Sequence, residues 1–378
     1  MANATLDEVY ERLCDTGPEF DGWLSNHAPM AAEALIHHGH ADRVHRWLDD
    51  YRRNLEPRPR GISPIGADEW PAALGDPTRT GDWLNFFERE MTTDPWPDVL
   101  ARWWPRLLPG IAAGATHGVI RVGHAVRALL TPPGSALPAA GRIAELGQAL
   151  AYWAARWQPM ALPGSGPYRT TDPRSALDTV PRVPDQRFGI RSRLAQLAGL
   201  PAWPGVPAGP SPAPVGSPTV PFLNGRDPVP AGPPTVGEIP SAARLLAADN
   251  NTVHDRILAI IEAAVVRQAG YGYANPVMLV HAATAPTAVL RTLPALPGAL
   301  HLPSLAAAWA ATAAVTSAYA PEQPRPVTPR PGTGPEDLMA YAADNGDAHA
   351  IKLADAAIEA GDAEALACAY RALERFAP

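Results

Sequence analysis

The chain has 378 residues, 46% of them hydrophobic, with 31 basic against 38 acidic side chains and a formal net charge of −7. That charge, with no basic block, leaves no electrostatic footprint for nucleic acid, and the length fits one large domain or two to three ordinary ones. The two cysteines, Cys14 and Cys368, sit near opposite ends and make neither a disulfide framework nor a CxxC metal site.

The first segment, "TLDEVYERL", spaces Leu6, Val9, Tyr10 and Leu13 as one helical face. The N-terminus lacks the apolar core of a signal peptide, and no apolar run approaches the ~20 residues of a membrane span. A cytoplasmic protein without membrane contact is expected. In "GWLSNHAPM", Pro29 biases Ala28 away from helical geometry, which places His27 at a helix start or in a loop. "LIHHGHADRVH" reads as a helix ending at Gly39 and a new helix after it, so His37, His38, His40 and His45 point in several directions and form no site.

"ADRVHRWLDDYRRNL" and "GDWLNFFEREM" continue the helical pattern. "IAAGATHGVIRVGHAVRALL" reads as one helix with His117 and His124 seven residues apart, ~20° short of two turns and hence near one face. Gly114, Gly118 and Gly123 thin that helix for close approach of another element or a ligand. Joint ligation of one metal by both histidines would be strained at that spacing, since a shared site prefers i, i+4. One ligand and one neighbouring or substrate-facing histidine is the expected division.

"RIAELGQALAYWAARW" is a further helix, and the tryptophans Trp23, Trp103, Trp104, Trp153 and Trp157 are core residues or lining for an aromatic substrate. From 158 to 236 the proline content, as in "PAWPGVPAGPSPAPVGSPTVPF", forbids a helix interior, and an extended connection is expected. A second helical part spans 237–320. Within it, "PVMLVHAATAPTAVLRTLPAL" embeds His281 in an apolar helix, where a ring must be hydrogen-bonded or metal-bound. "GDAHAIKLADAAIEA" and "GDAEALACAYRALER" echo each other in a C-terminal hairpin over 335–376, capped by Asp347 and Asp362. Lys352 is the only lysine among the 31 basic residues and lies one turn from His349 amid apolar neighbours. Burial there favours the neutral amine, the form that reacts with carbon dioxide to give a carbamate, a carboxylate-like metal ligand.

Period-two runs are scarce, so the fold class is all-α: helical from 5 to 157, connected through 158–236, helical again to 320 and closed by the hairpin, the whole read as one domain. HExxH, GxGxxG and GxSxG motifs are absent.

The stretches "FDGWLSNHAPMAAEAL", "WWPRLLPGIAAGATHGVIRVGHAVRAL", "ELGQALAYWAARWQP", "VHAATAPTAVLRTLPAL" and "DNGDAHAIKLADAAIEA" together resemble the questin oxidase-like family, from about Tyr10 to Phe376. The resemblance implies oxidative ring opening of anthraquinones and related aromatic polyketides, through a reductant-dependent Baeyer–Villiger course or a non-haem iron dioxygenation. It implies an Fe(II) site of four histidines and a carboxylated lysine: here His27, His117, His281 and His349 with Lys352. His124 competes for one of those places, and His124 and Arg121 are the candidate catalytic groups beside the metal. Partners are then an aromatic small molecule and O2. NADPH is a candidate external reductant. No flavin is expected, for want of a Rossmann fingerprint, and no 2-oxoglutarate, because five protein ligands leave too little room for a bidentate acid. A carbamylated-lysine hydrolase and a non-catalytic helical binding protein are the competing readings.

Overall fold

Apolar residues at helical spacing organise the chain. The computed structural model describes residues 2–130, 140–160, 172–200 and 250–376. The only sheet among them is a hairpin in which Glu19–Phe20 pairs antiparallel with Leu24–Ser25. The helices are α1 (Ala2–Leu13), α2 (Ala28–His37), α3 (Ala41–Tyr51), α4 (Trp70–Ala73), α5 (Thr80–Thr93), α6 (Trp96–Leu107), α7 (His117–Leu130), α8 (Ala140–Arg156), α9 (Pro173–Asp178), α10 (Ile190–Leu194), α11 (Asn250–Tyr271), α12 (Pro276–Thr292), α13 (His301–Tyr319), α14 (Pro335–Asn345), α15 (Ala348–Ala360) and α16 (Ala363–Leu373).

Four of them form a closed ring in the order α2, α7, α12, α15, each packed on the next and α15 back on α2. The outer helices cover this ring: α8 lies on α7 and α5, α13 on α12 and α11, and α11 on α12, α15 and α16. One buried hydrophobic cluster includes side chains from Leu6 to Phe376, so the two ends of the chain contribute to the same core. Trp47 on α3 donates its Nε1–H to the Gly346 carbonyl at 2.7 Å, a further tie between the N-terminal helices and the C-terminal segment.

Several boundaries differ from the sequence pattern. Helix α2 begins at Ala28 itself, with Pro29 at the second helical position, where a missing N–H costs nothing. The helix expected from Ile111 is interrupted: Gly114, Ala115 and Thr116 take left-handed φ values of 55°, 55° and 67°, and α7 starts only at His117. Part of the connection expected at 158–236 is packed structure. Short helices α9 and α10 form there, Leu177, Val183 and Leu194 are buried, and the Val183 N–H donates to the Ser317 carbonyl at 3.0 Å. The stretch "PAWPGVPAGPSPAPVGSPTVPF" lies outside the described residues, as does 237–249 of the second helical part.

The C-terminal segment contains the two expected helices, α15 and α16, capped by the side chains of Asp347 and Asp362, preceded by a third, α14. The segment Gly298–Tyr319 is long and apolar enough to cross a membrane by length and composition alone, which corrects the expectation that no run approaches that length. Its apolarity is alanine-rich, and its buried face, including Leu305, Ala308 and Ala311, packs on α11 and α12.

Candidate metal centre

Each ring helix delivers its chemistry near its N-terminus. His27 occupies the N-cap of α2, fixed by its backbone N–H donating to the Tyr51 hydroxyl at 3.0 Å. The preceding Asn26 accepts from the Ala28 N–H and donates to the Gly17 carbonyl, each at 3.0 Å, so the loop entering α2 is pinned on both sides. His117 is the first residue of α7. His281 lies in the second turn of α12, a helix that carries Pro286 in its interior. The carbonyl deprived of its partner by that proline, Ala282, accepts from Thr312 Oγ1 of α13 at 2.8 Å, so the helix keeps its polar groups satisfied next to His281. His349 and Lys352 lie in the first two turns of α15, whose cap Asp347 accepts from the backbone N–H groups of His349 and Ala350 at 2.7 and 3.2 Å.

These four imidazoles meet. His117 Nε2 stands 2.8 Å from His27 Nε2 and 3.1 Å from His281 Nε2. The rings of His27 and His349 contact edge to face with centroids 4.5 Å apart, and one nitrogen from each of His27, His117 and His349 falls within 4.8 Å of the others. His117 Nδ1 lies 2.6 Å from the Gly114 carbonyl. A carbonyl only accepts, so Nδ1 carries the proton and Nε2 is a bare lone pair. One lone pair cannot be shared well between two N–H donors, so His27 and His281 oversubscribe it. A cation among the three nitrogens resolves the conflict, since adjacent nitrogens bound to one ion at roughly 2.0–2.1 Å stand about 3 Å apart.

The protonation chemistry fits. Burial, followed by the positive charge of Lys352, holds His27 and His117 well below the usual imidazole range. Burial and then His117 do the same to His281. His349 is brought down to about 4, mainly by burial, against the opposing pull of Asp347, whose Oδ1 lies 3.4 Å from its Nδ1. Neutral rings are the form that binds a metal, and a carbonyl or carboxylate on the far nitrogen is the usual support of a ligating histidine.

Lys352 is 1% exposed, and its Nζ has no hydrogen-bond partner. Burial brings its pKa down to about 7, and its charge depresses all four histidines, so the amine lies within electrostatic reach of the whole cluster. A buried, unpartnered amine of low basicity is costly as it stands and has the chemistry carbamate formation requires.

The structure thus brings His27, His117, His281, His349 and Lys352 together. It gives His124 and Arg121 other partners. His124 Nδ1 donates to Glu33 at 2.7 Å, and its Nε2 faces Arg291 at 3.5 Å. Arg121 is held by Glu145 and Gln148 of α8. Among the tryptophans, Trp103, Trp104 and Trp153 are buried in aromatic clusters and Trp157 packs on Gly110, whereas Trp23 is 73% exposed on the hairpin. His254 is exposed, and His301 hydrogen-bonds local carbonyls.

Sequence reasoning missed Tyr51, the left-handed turn before His117, and a group of buried charges: Glu33, Arg127, Arg291 and Asp355. The two acids had a signal, since "MAAEALI" and "LADAAI" each set one carboxylate in an otherwise apolar stretch.

Residues 24–129 match the family model described as Questin oxidase-like. The match takes in His27, His117 and His124 and supports the resemblance read from the sequence, over less than a third of the chain. No curated protein matches this chain.

Proposed function

We propose that His27, His117, His281, His349 and Lys352, the last as its N-carboxylate, hold one Fe(II), and that the protein is an oxygenase that opens the ring of a quinone or phenolic aromatic. The observation that carries this reading is the lone pair of His117 Nε2, approached by two further imidazole nitrogens at 2.8 and 3.1 Å. The oxidase family matched at 24–129 supports the reaction class. Imidazoles suit iron, and one anionic ligand partly balances its charge.

When bound, iron supplies the one-electron chemistry by which dioxygen reacts with a closed-shell aromatic. The protein's own part is preparation. The Lys352 nitrogen adds to the carbon of CO2, forming one N–C bond and releasing one proton to leave the carbamate anion. Gly114 and Asp347 hold the outer nitrogens of His117 and His349, which aims the inner ones. His281 and Lys352 close the buried end, while His27 and His349 remain partly exposed and mark the side from which small molecules arrive. Five protein groups leave too little room for 2-oxoglutarate, and the reading needs no flavin. NADPH belongs to the monooxygenase course alone, so oxygen uptake with and without it separates the two courses.

The hydrolase reading needs a second metal with carboxylate ligands. Asp347 is engaged as a helix cap, and although ligand atoms of Glu33, His124 and Asp355 lie within 4.8 Å of one another, their carboxylates already accept from Arg127 and Arg291, which counts against a second metal there. Metal analysis of the purified chain tests the proposal: one iron per chain is expected, against two zinc ions for a hydrolase or no metal for a binding protein. His117→Ala loses the iron and His124→Ala keeps it; the reverse result reassigns that helix.

A further inference from the structure

A second layer of buried polar side chains crosses the same four helices. Glu33 of α2 accepts from Arg127 Nε at 2.8 Å and from His124 Nδ1 at 2.7 Å, both on α7. Asp355 of α15 accepts from Arg127 Nη1 at 2.8 Å, from Arg291 Nη2 of α12 at 2.9 Å, and from His38 Nε2 at 2.8 Å. Glu33, His124, Arg127, Arg291 and Asp355 are all buried. The oxygens of Glu33 and Asp355 are taken by these donors, and the partly exposed Glu359 also accepts from Arg291 at 3.1 Å, so the two guanidinium groups already fill the place a cation would take in this layer.

The two layers are in step. Glu33 follows His27 by six residues, Arg127 follows His117 by ten, Arg291 follows His281 by ten and Asp355 follows His349 by six. Every ring helix meets the imidazoles first and the charges afterwards, so all four run in the same sense. Hydrophobic packing fixes such a ring only loosely, because a helix that slips by a turn moves its side chains ~5.4 Å and still buries alanines. Buried ion pairs add little net stability over apolar replacements, and their best-attested use is to specify register. The imidazole layer needs that specification, because its nitrogens must converge from four separate helices.

Resting on the iron reading above, we propose that Glu33, Arg127, Arg291 and Asp355 are positioning residues for the metal centre: their network sets the axial register and rotation of α2, α7, α12 and α15 so that the imidazoles converge.

The test is cobalt(II) titration of the full-length chain, reading affinity by chelator competition and ligand field by visible absorption, for the parent, Asp355→Asn and Glu145→Gln. The last removes a charge from the equally buried Arg121–Glu145 pair, which joins α7 to α8 outside the ring. Asp355→Asn is expected to weaken cobalt binding ~10–100-fold, as loss of outer support for a metal site does, and to shift the absorption bands while circular dichroism stays that of the parent. Glu145→Gln is expected to lower the melting temperature and leave the cobalt affinity and bands alone. Equal affinity in Asp355→Asn and parent, or equal losses in both variants, overturns the proposal. If Asp355→Asn does not fold, His38→Ala decides: it removes one partly exposed hydrogen bond to Asp355 and should weaken cobalt binding about fivefold, and an unchanged affinity overturns the proposal. A parent that takes up no cobalt removes the iron reading and this one with it, whereas a parent that binds beside an unaffected Asp355→Asn removes this one alone.

Discussion

Lys352 is the one position among the 31 basic residues where arginine is not used, and its surroundings account for that. A guanidinium stays charged, and beside four neutral imidazoles the nearby anion, Asp347, is already engaged as the helix cap and against His349. Lys352→Arg is therefore expected to lose iron and oxygen uptake together, both measured on purified protein. Lys352→Ala should lose both as well but leave space that a small carboxylate fills, so acetate or formate should restore part of the iron content in the alanine variant and none in the arginine variant. An arginine variant with the parent's iron content would make the lysine a compositional accident. Composition alone pointed to this residue, and the apolar context of His281 pointed to a ring needing a partner. The choice between His117 and His124 was not legible, because seven residues of helix put both near one face. Glu33, 91 residues from His124, holds that ring through Nδ1, which is why His117 rather than His124 enters the proposed ligand set.

At the scale of elements, the apolar period located most of the helices but was blind to the sign of φ. Gly114 tolerates a left-handed backbone, whereas Ala115 and Thr116 give no such signal and cost about 1–2 kcal/mol each in that conformation. That turn brings the Gly114 carbonyl under the His117 ring, a placement a continuous helix would not give. Gly123 shows the opposite case, where the expectation of close approach is met: a Cβ there would lie 2.5 Å from Ala288 Cα of α12. Gly123→Ala must push α7 from α12, the two helices that hold His117 and His281. A loss of about 1–3 kcal/mol of stability, typical of overpacking, is expected in thermal melts, with weaker cobalt binding in the same variant. A variant that melts lower but binds cobalt as tightly as the parent would show that the α7–α12 spacing does not control the site. Which helices neighbour which was not legible at all, since ring order depends on contacts between segments that no local pattern records.

For the whole molecule, the shared sense of the four ring helices governs how the chain is laid out. Two helices joined by a short turn run in opposite senses, so each ring helix requires a return path before the next. The intervening helices, α3 to α6, α8 to α11, and α13 with α14, supply it. The separation is 90 residues from His27 to His117 and 164 from His117 to His281. Closing such distances carries loop entropy and makes folding slow. The proposed metal centre can therefore form only when nearly the whole chain is in place, and a metal bound there would stabilise the native state without assisting the steps that lead to it. Stopped-flow measurements on the metal-loaded and metal-free protein should show unfolding accelerated by removal of the metal and refolding unchanged. A refolding rate that falls when metal is withheld would place a partly formed centre early in folding, and the chain would then be gathering around its ion rather than preparing a site for it.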